Sequence, residues 1–257
     1  MIAKLSRVIS LSLMLFLILS ACSAAAPAAT STPVSLPTDT PLPTPTLTPL
    51  PSATPAPTFT PDAAATQQAE EFQALLSRFK EDGYIATTEG QTRHLKDFKG
   101  EFAKLHDYYK WWRTNELNGD YSSFVFSAHF EWGSYSSTPD VSGCGLGFGI
   151  KENGDHYAIF LDRENLILIR AKGTHLYRMG TAGGGRYPTI PIPARSDFAI
   201  AVGSQGVAVM VDNVMVNYIL SSDQDAQGQL AYSLLSGTNS GYGTRCQMSN
   251  IILWTPK

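Results

Sequence analysis

The chain has no glycine before Gly83 and almost no charge between Ser23 and Pro61, where Asp39 stands alone. It has no basic patch: 19 Lys and Arg face 22 Asp and Glu, for a net charge of −3. Nucleic acid as the main partner is therefore excluded, because phosphate binding needs clustered positive charge. No apolar run reaches the roughly 18–20 residues that a permanent spanning helix needs. Several catalytic signatures are missing as well. A glycine-rich phosphate loop needs Lys-Ser/Thr and a following helix, and Gly183-Gly184-Gly185-Arg186 has neither. There is no Gly-x-Ser-x-Gly elbow. His94, His106, His129, His156 and His175 show no metal-ligand spacing with one another or with a cysteine, so neither a metal nor another cofactor is expected.

What is present divides the 257 residues into two materials. Of the 16 prolines, 11 lie between Pro27 and Pro61, and all 21 glycines follow in the body. The leader 1–21 carries Lys4 and Arg7, then a 12-residue apolar run, Val8–Leu19, broken only by two serines. This is the size of a signal-peptide h-region. It ends in Leu19-Ser20-Ala21-Cys22, which resembles the lipobox of bacterial lipoproteins. The resemblance implies cleavage before Cys22, lipid on its sulfur, and an extracytoplasmic domain anchored to the cell membrane through those acyl chains. Loss of Lys4 and Arg7 moves the net charge from −3 to −5.

Residues 22–61 then form a Pro/Thr-rich linker. Its Pro-Thr and Leu-Pro runs cannot hold helix or sheet hydrogen bonds. Extended as polyproline II, the 39 residues from Ser23 to Pro61 span up to about 120 Å, enough for a stalk. A passive spacer is the plainer reading of the same composition.

An amphipathic helix is expected within 62–83. Asp62 is a suitable cap, Phe72, Leu75, Leu76 and Phe79 share a face, and Gly83 stops it. Beyond it the apolar period becomes two. In Ser123–Trp132, Phe124, Phe126, Ala128, Phe130 and Trp132 share one face, and Ser123, Ser127, His129 and Glu131 lie largely on the other. Asp212-Asn213, flanked by Val207–Val211 and Val214–Ile219, reads as a two-residue hairpin turn. About ten to twelve short strands in 84–257 predict an all-β antiparallel sandwich. The body, 62–257, is long enough for one full core.

The order of these segments resembles the concanavalin A-like jelly-roll superfamily. Within it, 84–257 is similar to the domain of unknown function also labelled 3-keto-disaccharide hydrolase-like. The similarity is carried by Ser142–Phe148, Glu152–Tyr157, the Val207–Val216 hairpin, and Ser236–Asn239 through Gly243–Cys246. It implies a fold more than an activity. The Glu-x-Asp-x-x-Glu strand motif of the laminarinase-like enzymes is absent, and Asp162-Arg163-Glu164 and Glu152/Asp155 read as turns, so no catalytic residue is assigned.

With Cys22 lipidated, Cys144 and Cys246 remain in an oxidising compartment and are expected to pair, the alternative being two separately buried thiols. The feature with functional colour is aromatic: Tyr108, Tyr109, Trp111 and Trp112, followed by Trp132 and Tyr135, with His129 on the polar side of its strand. Flat rings stack on sugar faces while polar tips bond hydroxyls; the competing reading is core packing. The expectation is a non-catalytic surface module that binds carbohydrate or a cell-envelope polymer. The alternatives are a glycoside hydrolase and a surface protein that binds another protein.

Overall fold

The computed structural model describes residues 63–136, 142–162, 165–179, 193–218, 220 and 226–257. The leader, Cys22, the Pro/Thr-rich linker, the Asp62 cap and Gly183–Arg186 lie outside them.

Helix α1 spans Ala63–Glu81. It ends as its sequence dictates. The Tyr84 N–H donates to Phe79 O at 2.8 Å and the Gly83 N–H to Lys80 O at 3.0 Å, with Gly83 at φ +82°, a Schellman cap. Phe72, Leu76 and Phe79 are buried, and Leu75 packs beside them. Their partners are Val125, Ala201, Ala208, Met210, Ile252 and Trp254 on the sheet beneath. Each such burial is worth about 1.5–3 kcal/mol, so docking holds the helix rather than propensity alone.

Thirteen strands follow among the described residues: β1 Gly90–His94, β2 Phe98–Phe102, β3 Lys104–Trp112, β4 Phe124–Ser134, β5 Gly143–Ile150, β6 His156–Leu161, β7 Leu166–Lys172, β8 His175–Met179, β9 Ala194–Gly203, β10 Gly206–Val211, β11 Val214–Tyr218, β12 Gln229–Thr238 and β13 Thr244–Pro256. All the ladders are antiparallel and form two sheets. Sheet A runs β1-β13-β4-β9-β10-β11, with β2 also on β13; sheet B runs β3-β12-β5-β6-β7-β8. The expected all-β sandwich with one preceding helix is what the chain forms.

The core fills the space between the sheets. Phe130 stacks on Phe198 at 4.6 Å, Phe148 on Tyr157 at 5.3 Å, and Phe98 on Tyr232 at 4.4 Å. The β10–β11 turn has Asp212 and Asn213 at φ +46° and +68°, the two positive values a type I′ hairpin requires. Cys144 on β5 and Cys246 on β13 form a disulfide, Cα–Cα 5.7 Å, between residues 102 positions apart. It crosses from sheet B to sheet A through the core, both cysteines being fully buried.

Candidate functional site

Strand β3 is an edge of sheet B, and its register on β12 decides what each aromatic does. Trp112 lies opposite Tyr232 and Lys110 opposite Leu234, both partners being core residues. Trp112 accordingly turns toward the core and packs on Phe98 at 5.7 Å, with the Lys110 ammonium 4.9 Å from its ring. Tyr109 and Trp111, opposite Leu235 and Ser233, take the outer face of sheet B. Tyr108 shares the side of Trp112, opposite Ser236, but is 61% exposed. The period of two therefore splits the four neighbouring rings between two faces.

On the outer face, Tyr109 and Trp111 meet His156, the first residue of β6. The imidazole Nδ1–H donates to Gly154 O at 2.7 Å, since a carbonyl can only accept. In the neutral ring Nε2 is then the acceptor, and the Tyr109 hydroxyl donates to it at 2.8 Å. Burial pushes the Tyr109 phenol up to about 12. Trp111 lies 6.0 Å from the imidazole, centroid to centroid, and the Arg113 guanidinium sits 4.9 Å from the Trp111 ring.

Two strands, β12 and β5, separate β3 from β6. Side chains bridge that width because the intervening residues on this face are small: Ala231 and Ser233 on β12, Gly145 and Gly147 on β5. A Cβ on Gly145 would stand 2.6 Å from the Phe160 ring and 2.1 Å from Ile159 O. Phe160 in turn supports Tyr109 at 5.4 Å. The alternating glycines of β5 thus make room for a ring layer across the sheet.

The surface so built has a half-buried indole, an exposed guanidinium and a fixed imidazole–phenol pair. It offers a flat apolar face bordered by the Arg113 guanidinium, the Tyr109 and His156 hydrogens being committed to His156 Nε2 and Gly154 O. Asp155, next to His156 in sequence, is engaged: its oxygens accept the Gly173 N–H at 2.8 Å and Asn153 Nδ2 at 3.2 Å. Those bonds, the Gly173 N–H first, hold its carboxyl below the usual range.

The other expected ligand residues lie elsewhere. Trp132 is 1% exposed and belongs to the core between the sheets, so a ligand contact there is corrected: its place in the β4 alternation puts it beside Phe130. His129 is on the outer face of sheet A, on the opposite side of the sandwich, 2.7 Å from the Asp197 carboxylate. That pair borders a groove of about 240 Å³ between α1 and the sheet, lined also by Glu71, Phe72 and Met210. Tyr135, 59% exposed, is at a third place. It packs edge-on against Tyr242 at 5.6 Å and over Gly241, with Arg245 4.3 Å from the Tyr242 ring. His156 and Arg113 were not singled out by the sequence. Arg113 is only two residues from Trp111, whereas the meeting of His156 with Trp111 depends on the order of four strands. Among the described residues, no group of three His, Cys, Asp or Glu side chains is arranged to hold a metal ion.

No protein-family model matches the chain, and no curated protein matches it. Solved structures to which the chain has some similarity include a carbohydrate binding module, CBM66, from Bacillus subtilis, at TM-score 0.44 and 9% identity over 65% of this chain and 98% of that one. Alginate lyase A1-II′, a member of polysaccharide lyase family-7, has TM-score 0.43 and 8% identity over 67% of this chain and 86% of that one. Aspergillus kawachii β-fructofuranosidase has TM-score 0.42 and 10% identity, and this chain spans 29% of its length against 70% of its own.

Proposed function

We propose that the chain is an exported lipoprotein, held at the cell membrane by lipid on Cys22 and raised on its Pro/Thr-rich stalk. Its sandwich binds a glycan or cell-envelope polymer on the outer face of sheet B. The observation that carries the binding assignment is Trp111: a half-buried indole on an edge strand, supported by His156 and flanked by the exposed Arg113. A sugar ring laid on this indole would cover apolar C–H surface, and Arg113 would supply donors to its hydroxyls. Trp112, Tyr108, His129, Trp132 and Tyr135 have no part in this site.

Affinity electrophoresis of the full chain in detergent, through gels containing neutral or acidic polysaccharides, tests the reading. At least one polymer should retard the wild type, and Trp111→Ala should weaken that interaction about tenfold, or about 1.4 kcal/mol. Equal retardation of wild type and variant would refute the role of Trp111.

A further inference from the structure

A groove of about 240 Å³ lies on the other side of the sandwich, between α1 and the outer face of sheet A. It arises from a change of side chains along the sheet. Where Leu76 and Phe79 of α1 dock, that face presents Val125, Ala201, Ala208 and Trp254. One step along the β4–β9 ladder it presents Ser127 and Ala199, and one step further His129 and Asp197. Ser127 and Ala199 are small and lie opposite each other, which leaves room beneath Phe72 and Leu75. Phe72, Met210 and Ile252, all buried, give the groove apolar walls. A bulge in β13 between Ser249 and Ile252 brings Asn250, at φ +52°, into the same lining.

The charge of this lining is one-sided. Glu71 on α1 and Asp197 on β9 are carboxylates, and among the described residues no Lys or Arg lines the groove. The His129 Nδ1–H donates to Asp197 Oδ1 at 2.7 Å, since an ionised carboxylate can only accept. Glu71 Oε1 accepts from Gln67 Nε2 at 2.8 Å. Each carboxylate keeps its second oxygen without a partner among the described residues. Arg195, two residues from Asp197, is paired with Glu131 at 3.4 Å. Two carboxylates and one imidazole give the lining a charge of −2 with the ring neutral and −1 with it protonated. Negative charge in a cleft attracts a cation more strongly than the same charge on a flat surface. The apolar walls reward burial of C–H surface as well. The volume lies below the roughly 300–1,000 Å³ of pockets for drug-sized ligands, so it suits a single ring or a short chain. We propose that this groove binds a small organic cation, an ammonium group on an apolar body. Glu71 and Asp197 supply the countercharge, and Phe72, Met210 and Ile252 cover the body. The site is independent of the Trp111 face.

The test uses the full chain in detergent with three probes of one shape: 2-phenylethylammonium, 2-phenylethanol and 3-phenylpropanoate. They keep the body and change the charge from positive through zero to negative. Ligand-observed NMR titration reads each affinity, and a blank of detergent alone removes partition into micelles. The wild type should bind the ammonium about tenfold more tightly than the alcohol, and the carboxylate should bind more weakly than either. The double variant Glu71→Gln/Asp197→Asn should reduce the ammonium to the level of the alcohol. Both positions are exposed, and a matching thermal unfolding midpoint establishes that the variant is folded. Glu71→Gln alone leaves the His129–Asp197 pair in place and should weaken the ammonium about threefold. Trp111→Ala should leave its binding unchanged. Equal binding of ammonium and alcohol overturns the inference, because the groove then selects no charge. An ammonium preference that survives the double variant also overturns it, as does the absence of saturable ammonium binding up to about 10 mM. Loss of ammonium binding in Trp111→Ala overturns it by assigning the cation to the Trp111 face. The Trp111 platform itself is judged separately, by polysaccharide retardation.

Discussion

The Tyr109 hydroxyl reaches across two strands to donate to His156 Nε2 at 2.8 Å, tying the edge strand of sheet B to its middle. Tyr109→Phe keeps the ring on Phe160 and removes this bond, at a cost of about 0.5–1.5 kcal/mol. The phenol also leaves a pH signature. Its folded value, about 12, lies above the ordinary value of about 10. Burial therefore favours the neutral form. The associated stability is fully present below about pH 10 and is lost as pH rises toward 12. Burial likewise raises Tyr218 and Tyr232, so the alkaline loss is shared. Denaturation midpoints between pH 9 and about 12 should fall less steeply in Tyr109→Phe than in the wild type.

Two neighbouring glycines of β5 should respond differently to a methyl group. At Gly145 a Cβ would meet Ile159 O at 2.1 Å, whereas at Gly147 the nearest atom is Ile150 Cδ1 at 3.5 Å. Gly145→Ala should cost about 1–3 kcal/mol through overpacking, and Gly147→Ala less than about 1 kcal/mol. Chemical denaturation of the two variants checks the contrast.

The Cys144–Cys246 bridge closes a loop of 102 residues and joins the two sheets. Replacing both cysteines by alanine should lower stability by up to about 4–5 kcal/mol in the chain-entropy picture. Guanidinium unfolding of the oxidised protein and of the double variant measures it. A difference near zero would mean that the sheets are held by their packing alone.

The sandwich was legible in the sequence wherever one face of a strand is buried and the other wet. β4 alternates Phe124, Phe126, Ala128, Phe130 and Trp132 with Val125, Ser127, His129 and Glu131, and the first five are the ones between the sheets. The same alternation pointed Trp132 inward, which is why its ligand role failed. The β10–β11 hairpin was legible because Asp212-Asn213 tolerates positive φ. β3 was not legible as a strand. In Lys104–Trp112 both faces carry rings, so no period shows, and only its register on β12 assigns each ring a side. The site was hidden for a related reason. Tyr109 and His156 are 47 positions apart on strands that are not neighbours, brought together by glycines that look like mere flexibility in the sequence.

Lipidation of Cys22 carries its own prediction. Cells fed an alkyne analogue of palmitate should yield a labelled wild-type chain that partitions with membranes. Cys22→Ala should be unlabelled and retained in its unprocessed form. Equal labelling of the two would remove the lipid anchor from the account.

The most direct test of ligand binding at Trp111 is tryptophan emission during titration with the polymer that retards the wild type. Trp132 and Trp254 are buried, and Trp112 faces the other side of β3, so Trp111 is the indole placed to report. Ligand should shift or quench the wild-type emission saturably, and Trp111→Ala should abolish the change together with about tenfold or more of the affinity. An unchanged affinity in Trp111→Ala, or a saturable emission change that survives it, would contradict a binding site on the outer face of sheet B.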